Sequence, residues 1–427
     1  MIAKIVITDV YDLRHNYGVQ GLVLPLVEKI RELIDAEFVM PVQSAYFTHG
    51  NIEFAGRRGI TLVSYWKYSF LFEIFHPLFR TPESFFSRLI KSIAGDYGKD
   101  ILNKYHELVM VIGGADKVID VAGIEFIGNS GIKKKWGELL FCRMFQKLAA
   151  REGMPYYKYT KSYGPVEGYI FRLVVKGLLE ELPFVFVRGK NNLVELEKIE
   201  IKTPLFIFPD VSLVLKPSTH EQANQHLQSA GLDTSRPIAG ISPSRVLSKI
   251  SSNNIDNCIG ENHIELVRRL IDYFLKNGYQ VLIIPHAIDK IDKNKCDREF
   301  AKEILKEINS PEGIFITPEG LSYSEIRGII GQLSFYVTGR YHSVASALYM
   351  ETPVVSLSWH IKYTDIMSEF LEDFLSLDSR NTAIDEALNL IEKYHDNQAW
   401  FDREKIIENR ERIEREIEKS IRMMIAT

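Results

Sequence analysis

Along the chain, short runs of aliphatic and β-branched residues give way to polar or glycine-bearing turns. Stretches with apolar residues three or four positions apart then follow. The first rhythm predicts strands and the second amphipathic helices, so their alternation predicts βαβ units built on parallel sheets. Ile5-Val-Ile-Thr8 is the first expected strand and Val19–Ile34 the first expected helix. Leu108-Val-Met-Val-Ile112 reads as a strand that ends in the turn Gly113-Gly114. Gly137–Ala150 reads as a helix, and Met154–Tyr159, Phe184–Arg188 and Leu205–Phe208 as strands. A second series opens with the expected strand Ile238–Ser242 and the helix His263–Lys276, closed by the C-cap signal Asn277-Gly278. It continues with strands at Gln280–His286, Gly313–Thr317, Leu333–Gly339 and Pro353–Leu357, and helices at Asp297–Ile308, Ser322–Gln332 and Val344–Met350. The charged tail Glu404–Ile425 has helical spacing.

Two βα series placed end to end predict an α/β protein of two Rossmann-like domains facing a cleft, with a C-terminal helix. The expected domains are 1–225, 226–400 and a helical tail at 401–427. In such sheets ligands bind beyond the carboxyl ends of strands. Candidate residues are therefore those that immediately follow an expected strand.

Composition narrows the function. The 427 residues suffice for two domains. A net charge of −4 lacks the basic face that nucleic acid requires. Cys142, Cys258 and Cys296 have neither disulfide-framework nor metal-ligand spacing, which fits a reducing cytoplasm. The opening Met1-Ile-Ala-Lys-Ile-Val reads as a strand and not as a leader. No apolar run reaches the ~20 residues of a membrane span. The Phe-rich segment 66–90 is broken by Glu73, His76, Pro77, Arg80 and Pro82, so it reads as a packed insertion, with a peripheral membrane contact as the alternative. No HExxH, CxxC or Walker A pattern occurs, and no metal or cofactor is expected.

Six groups lie at or after the ends of expected strands. In Thr338-Gly339-Arg340-Tyr341-His342-Ser343, a guanidinium fork suits carboxylate or phosphate, and the imidazole can move a proton near neutral pH. The next helix would present amide donors to an anion, with Ser343 as its cap. The alternative is a capped helix with a surface arginine and a packed histidine. Ser242-Pro-Ser244-Arg245, with Lys249 nearby, is either an anion contact or a solvated loop. Asn16-Tyr17-Gly18, preceded by Arg14-His15, is a sugar-hydroxyl contact or a capping turn, and it is not a dinucleotide fingerprint. Gly113-Gly114-Ala115-Asp116 would let a ligand approach the backbone, or would cap a helix through Asp116. His286 and the segment Trp359-His360-Ile361-Lys362 complete the set, each with plain packing as the alternative.

The order of these groups resembles the polysaccharide pyruvyl transferases. Asn16-Tyr17-Gly18 is similar to the family's Asn-x-Gly turn, and Gly113-Gly114-Ala115-Asp116 to its Gly-Gly-Gly-Asp element with alanine at the third glycine. Gly164-Pro165, Arg188 and Pro209-Asp210 match in order. So do Arg340-Tyr341-His342, the small-residue helix through Ala347-Leu348, Thr352-Pro353-Val354-Val355 and Lys362. Glu351-Thr352 and the Phe-rich segment depart from the pattern. The resemblance implies a GT-B-like fold and transfer of a pyruvyl group from phosphoenolpyruvate to a saccharide acceptor, which could be lipid-linked. Arg340 and His342 would meet the donor, with Arg245 as a second anion contact. Two rival functions share the layout. One is a nucleotide-sugar glycosyltransferase, and the other a non-catalytic glycan-binding relative.

Overall fold

The computed structural model describes residues 2–10, 12–65, 69, 85–127, 132–251, 255–290, 292–308 and 312–427. Most of the Phe-rich segment 66–90 lies outside the described residues, as does the membrane contact considered for it. Among the described residues no helix is long and apolar enough to cross a membrane. The chain forms two compact units.

The first unit comprises Met1–Arg14, Leu22–Asp210 and Ser420–Thr427. Its strands are β1 (Ala3–Thr8), β2 (Ala36–Gln43), β3 (Ile60–Tyr65), β4 (Lys117–Asp120), β5 (Ile124–Glu125), β6 (Tyr156–Lys158), β7 (Ser162–Tyr163), β8 (Val185–Val187) and β9 (Leu205–Ile207). Five of them form a parallel sheet in the order β3-β2-β1-β4-β6, and β5-β7 and β8-β9 form two small parallel pairs. Both faces of this sheet are covered, so its strands read as apolar runs. Val6 and Val118 are fully buried and pack with Phe145, Leu148, Leu178 and Val185. Each such aliphatic side chain contributes ~1.5–3 kcal/mol by leaving water.

One expected strand is a helix. Leu108–Ile112 belongs to the helix Phe85–Gly113. Ile101, Tyr105, Leu108 and Ile112 are buried while Met110 is 70% exposed, a spacing of three to four residues and not of two. Helical periodicity is hidden in this run because five consecutive apolar residues satisfy either pattern. The strand that does reach the sheet here is β4, which begins only at Lys117.

The second unit comprises His15–Gly21 and Val211–Lys419. Its strands are β10 (Ile238–Ser242), β11 (Gln280–Ile283), β12 (Ile314–Ile316), β13 (Phe335–Thr338), β14 (Val354–Ser358) and β15 (Ser376–Asp378). All pair in parallel in the order β12-β11-β10-β13-β14-β15. This is the doubly wound order, in which connections run outward in both directions from the central pair β10 and β13. The crevice at the carboxyl ends of that pair is the topological switch point. The helix His263–Lys276 packs Leu266, Val267, Leu270, Ile271 and Phe274 onto the sheet, and its chain reverses at Gly278 with φ +82°. The helices His220–Ser229 and Tyr323–Ile330 are fixed at their starts by capping boxes from Thr219 with Gln222 and from Ser322 with Glu325.

Candidate functional site

The site is built on the corner between β13 and the helix Tyr341–Tyr349, at the switch point of the second unit. Gly339 makes the corner possible: a Cβ there would lie 2.2 Å from Leu247 Cδ1 and 3.1 Å from Ser244 Cβ. Arg340 then occupies the N-cap position with extended backbone and offers no side-chain cap. Its guanidinium turns to Asp297, donating from Nε to Oδ2 at 2.8 Å and from Nη2 to Oδ1.

Asp297 is fully buried and holds more than Arg340. It also accepts the main-chain N–H of Arg245, after β10, at 3.0 Å and that of Ala287, after β11, at 2.8 Å. One carboxylate thus ties three strand-end loops together. Arg340 is therefore half of an ion pair and not the uncommitted cation that the sequence suggests. Arg245 is committed as well: Nη2 donates to Glu303 at 2.5 Å, and the guanidinium lies 4.4 Å from the Phe300 ring centroid. Ser244 donates its N–H to buried His263 at 3.1 Å, and Lys249 donates to the Asn294 carbonyl at 2.6 Å, so both serve the loop.

Around His342 the structure gathers residues from distant parts of the sequence. A Cβ on Gly18 would stand 3.0 Å from His342 Nδ1, so glycine relieves a tight approach where the first turn of the helix Tyr17–Leu33 lies against this imidazole. Asn16 accepts the Val19 N–H at 3.1 Å and so caps that turn. Tyr17 is buried, stacked 6.3 Å from Tyr323 and edge-on 5.4 Å from His286, and burial pushes its hydroxyl up to about 12. Tyr323 donates from its hydroxyl to the His342 carbonyl at 2.6 Å.

His286 lies 2.8 Å through Nδ1 from Ser343 Oγ, which takes Ser343 away from the capping role expected of it. His286 is 3% exposed and its Nε2 has no hydrogen-bond partner. Its pKa is driven well below the usual imidazole value, first by burial and then by His342, Arg340 and Arg327. Lys362 sits 5.2 Å from the ring centroids of both Tyr341 and Trp359, a cation held on aromatic faces. Trp359 donates to the Tyr363 hydroxyl at 3.1 Å.

Arg327 was not a candidate in the sequence. It is fully buried and donates to the carbonyls of Ser212, Leu213 and Leu215, to Ser346 Oγ and to the Tyr323 hydroxyl. Dipoles surround it in place of a carboxylate, so its charge reaches the site. The available signal was an arginine in the apolar run Ile326-Arg327-Gly328-Ile329-Ile330.

Gly113, Gly114 and Asp116 are not part of this arrangement. They end a helix and precede β4, at the amino end of the sheet in the first unit, where Asp116 accepts the Lys4 N–H at 2.7 Å. The segment that follows β4 is Val121-Ala122-Gly123.

The first unit has a charged cluster of its own, also absent from the sequence reading. Asp9 follows β1, Asp120 ends β4 and Glu125 lies on β5, with carboxylate oxygens all within 4.8 Å of one another. Lys158 donates to Asp120 at 2.9 Å and to Glu125 at 2.8 Å, and Lys161 bonds both as well. Burial would raise the Asp120 carboxyl, yet the two ammoniums win and hold it far below the usual range. Asp9 goes the other way, pushed up to about 7 by burial and then by Asp120. Nearby, buried Arg188 pairs with Asp210 at 2.8 Å, joining two residues that sequence order alone had aligned.

A family model described as polysaccharide pyruvyl transferase matches residues 59–361. No curated protein matches in sequence. Among solved structures, Anabaena HepE in complex with UDP and glucose is similar over 99% of this chain and 98% of its own, with TM-score 0.58 and 10% identity. Staphylococcus aureus MnaA with UDP covers 95% and 91% at TM-score 0.55 and 13% identity. The UDP-GlcNAc 2-epimerase of Neisseria meningitidis bound to UDP-GlcNAc covers 99% and 98% at TM-score 0.53 and 9% identity. At these identities the likeness concerns the fold, that of GT-B glycosyltransferases and epimerases.

Proposed function

The chain belongs to the polysaccharide pyruvyl transferase family, and from that membership we propose that it moves a pyruvyl group from phosphoenolpyruvate onto hydroxyls of a saccharide or glycan precursor, forming a ketal. The observation that carries this reading is the positive field at the β10–β13 switch point. There, burial first and then the charges of His342, Arg340 and Arg327 drive the His286 imidazole well below its usual value. A donor with a carboxylate and a phosphate needs such a field, together with amide donors like those at the start of the helix Tyr341–Tyr349.

Arg340, oriented by Asp297, receives the anion as a fixed fork, and the neutral His286 serves as a hydrogen-bond donor beside it. His342 delivers a proton to C3 of the enol while an acceptor hydroxyl bonds C2, and the proton that this hydroxyl sheds returns to the His342 imidazole. The C2–O–phosphate bond then breaks, and a second hydroxyl closes the ketal and loses its proton to phosphate or water. A positioned acid of this kind contributes ~10²–10⁴-fold.

The test is ligand protection with product analysis. Phosphoenolpyruvate is expected to raise the melting temperature, and acceptor-dependent phosphate release to accompany ketal formation. A second reading, nucleotide-sugar glycosyl transfer, is favoured by the UDP complexes of the fold neighbours. Protection by UDP or GDP and none by phosphoenolpyruvate would select it.

A further inference from the structure

The helix Tyr169–Glu180 buries one face in the core of the first unit, through Phe171, Val175, Leu178 and Leu179. Other apolar residues of the same helix turn outward. Tyr169 is 77% exposed, Ile170 67% and Leu173 51%. Residues three and four apart on a helix are neighbours, so Leu173 lies beside both Ile170 and Tyr169 and the three form one patch. Single exposed apolar residues are ordinary on a protein surface, whereas contiguous ones mark a surface that something covers.

Charge narrows what covers it. Arg172, exposed, and Lys176, half-buried, lie one turn apart along the flank of the patch. Arg172 donates from Nε to the Val166 carbonyl at 2.9 Å, which holds the guanidinium beside the start of the helix. No acidic residue occurs between Gly168 and Leu179. The helix starts at Gly168 with no side-chain cap and no acid in its first turn, so its positive end is uncompensated there. The nearest acids in sequence bracket the face. Glu167 precedes the helix, and Glu180 at its end accepts the Lys202 N–H at 3.0 Å and stands 4.0 Å from Lys176.

An apolar centre, cations along its flank and a positive helix end complement a bilayer surface of anionic phospholipid. Aliphatic side chains enter the acyl boundary, tyrosines settle at headgroup level, and Arg and Lys reach from apolar surface to phosphate. A second copy of this chain fits less well. A stable protein interface takes ~20–30 residues from each side, and a two-fold axis through this face would bring like cations together.

We propose that the outward face of the helix Tyr169–Glu180 docks the first unit on an anionic phospholipid surface. Ile170 and Leu173 enter the acyl boundary, Tyr169 lies at the headgroups, and Arg172 and Lys176 meet phosphate. The helix lies in the plane of the membrane; among the described residues no helix is long and apolar enough to cross one. Docking of this kind is independent of the donor and acceptor chemistry proposed above.

The experiment is flotation of the full chain with vesicles of phosphatidylcholine alone and with about one third phosphatidylglycerol, at low and at high salt. Each cation near an anionic surface is worth about fivefold, so binding to the anionic vesicles should be roughly 25-fold tighter than to the neutral ones. High salt should remove that difference. Ile170→Ser with Leu173→Ser should weaken binding to the anionic vesicles by at least about tenfold. Both side chains are exposed, so the unfolding midpoint should stay in place. Arg172→Gln with Lys176→Gln should erase the preference between the two vesicles. If the serine variant does not fold, the glutamine variant decides alone. No flotation of the wild type, equal binding to both vesicles, or wild-type behaviour in the variant that decides overturns the proposal. So does a wild-type dimer that the serine variant converts to a monomer in light scattering, which would assign the face to a second copy. Phosphate release with a soluble acceptor should be unchanged in these variants, which keeps this outcome separate from the pyruvyl-transfer reading.

Discussion

Removal of the Asp297 carboxylate tests whether one buried residue holds the switch point together. In Asp297→Ala, the main-chain N–H groups of Arg245 and Ala287 lose their acceptor. Arg340 loses both of its bonds to the same group. Each stranded amide costs ~1–3 kcal/mol. The guanidinium is 17% exposed and recovers part of its hydration. Loss of one partner of a buried pair costs ~3–5 kcal/mol, so about 4 kcal/mol is expected. With a slope of ~3 kcal/mol per molar urea, the unfolding midpoint should fall by roughly 1.3 M. Arg340→Met leaves the carboxylate with its two amides and should cost less. The double variant should cost less than the sum of the two, because neither partner is left buried and alone. The assay is urea unfolding of the four proteins with phosphoenolpyruvate affinity measured alongside. A midpoint change below about 0.3 M for Asp297→Ala, or strict additivity, would refute the clamp. Arg340 would then be an anion ligand not held by Asp297.

His342→Ala should lower turnover by ~10²–10⁴-fold and leave the unfolding midpoint in place; near-normal turnover removes the imidazole from the chemistry. Gly18→Ala should keep or slightly raise stability through helix propensity, yet slow catalysis because its Cβ meets His342 Nδ1 at 3.0 Å; unchanged kinetics would show that the contact is slack. Asp9 titrates at about 7 in the folded chain against 3.8 otherwise, so the native state holds the extra proton between those values. The Asp9 contribution to stability is full below pH ~4 and is lost as the pH climbs through ~7. Melting curves of Asp9→Asn against wild type from pH 5 to 8 should therefore diverge in favour of the variant, and parallel curves would contradict the assignment. Arg327→Met should weaken phosphoenolpyruvate binding although this arginine is buried; equal affinity would show that its charge does not reach the site.

The switch-point residues of the second unit were legible because a strand-to-helix corner leaves a local record. Gly339, Arg340 and His342 follow an apolar run, and so do Ser244 and Arg245, which places all of them at carboxyl ends before any coordinates are known. The glycine pair Gly113-Gly114 misled for the converse reason. Its preceding run is equally apolar as helix or strand, and only packing reveals that Met110 faces water while Leu108 and Ile112 do not. The strands β2, β3 and β4 were likewise not expected, although β2 runs for eight residues.

What the sequence determined by itself was the α/β class, the family-like order of motifs and the residue types at the second switch point, since these depend on spacing within a few positions. The tertiary structure decided what each side chain is committed to. Asp297 lies 43 residues from Arg340 and turns that arginine from a cation into half of a clamp. Lys158 and Lys161 meet Asp120 and Glu125 only because parallel strands bring their carboxyl ends together. Arg327 and Asp9 owe their electrostatic weight to burial. Burial and charge pairing act through distances of a few ångströms in space, and separation along the chain does not encode them.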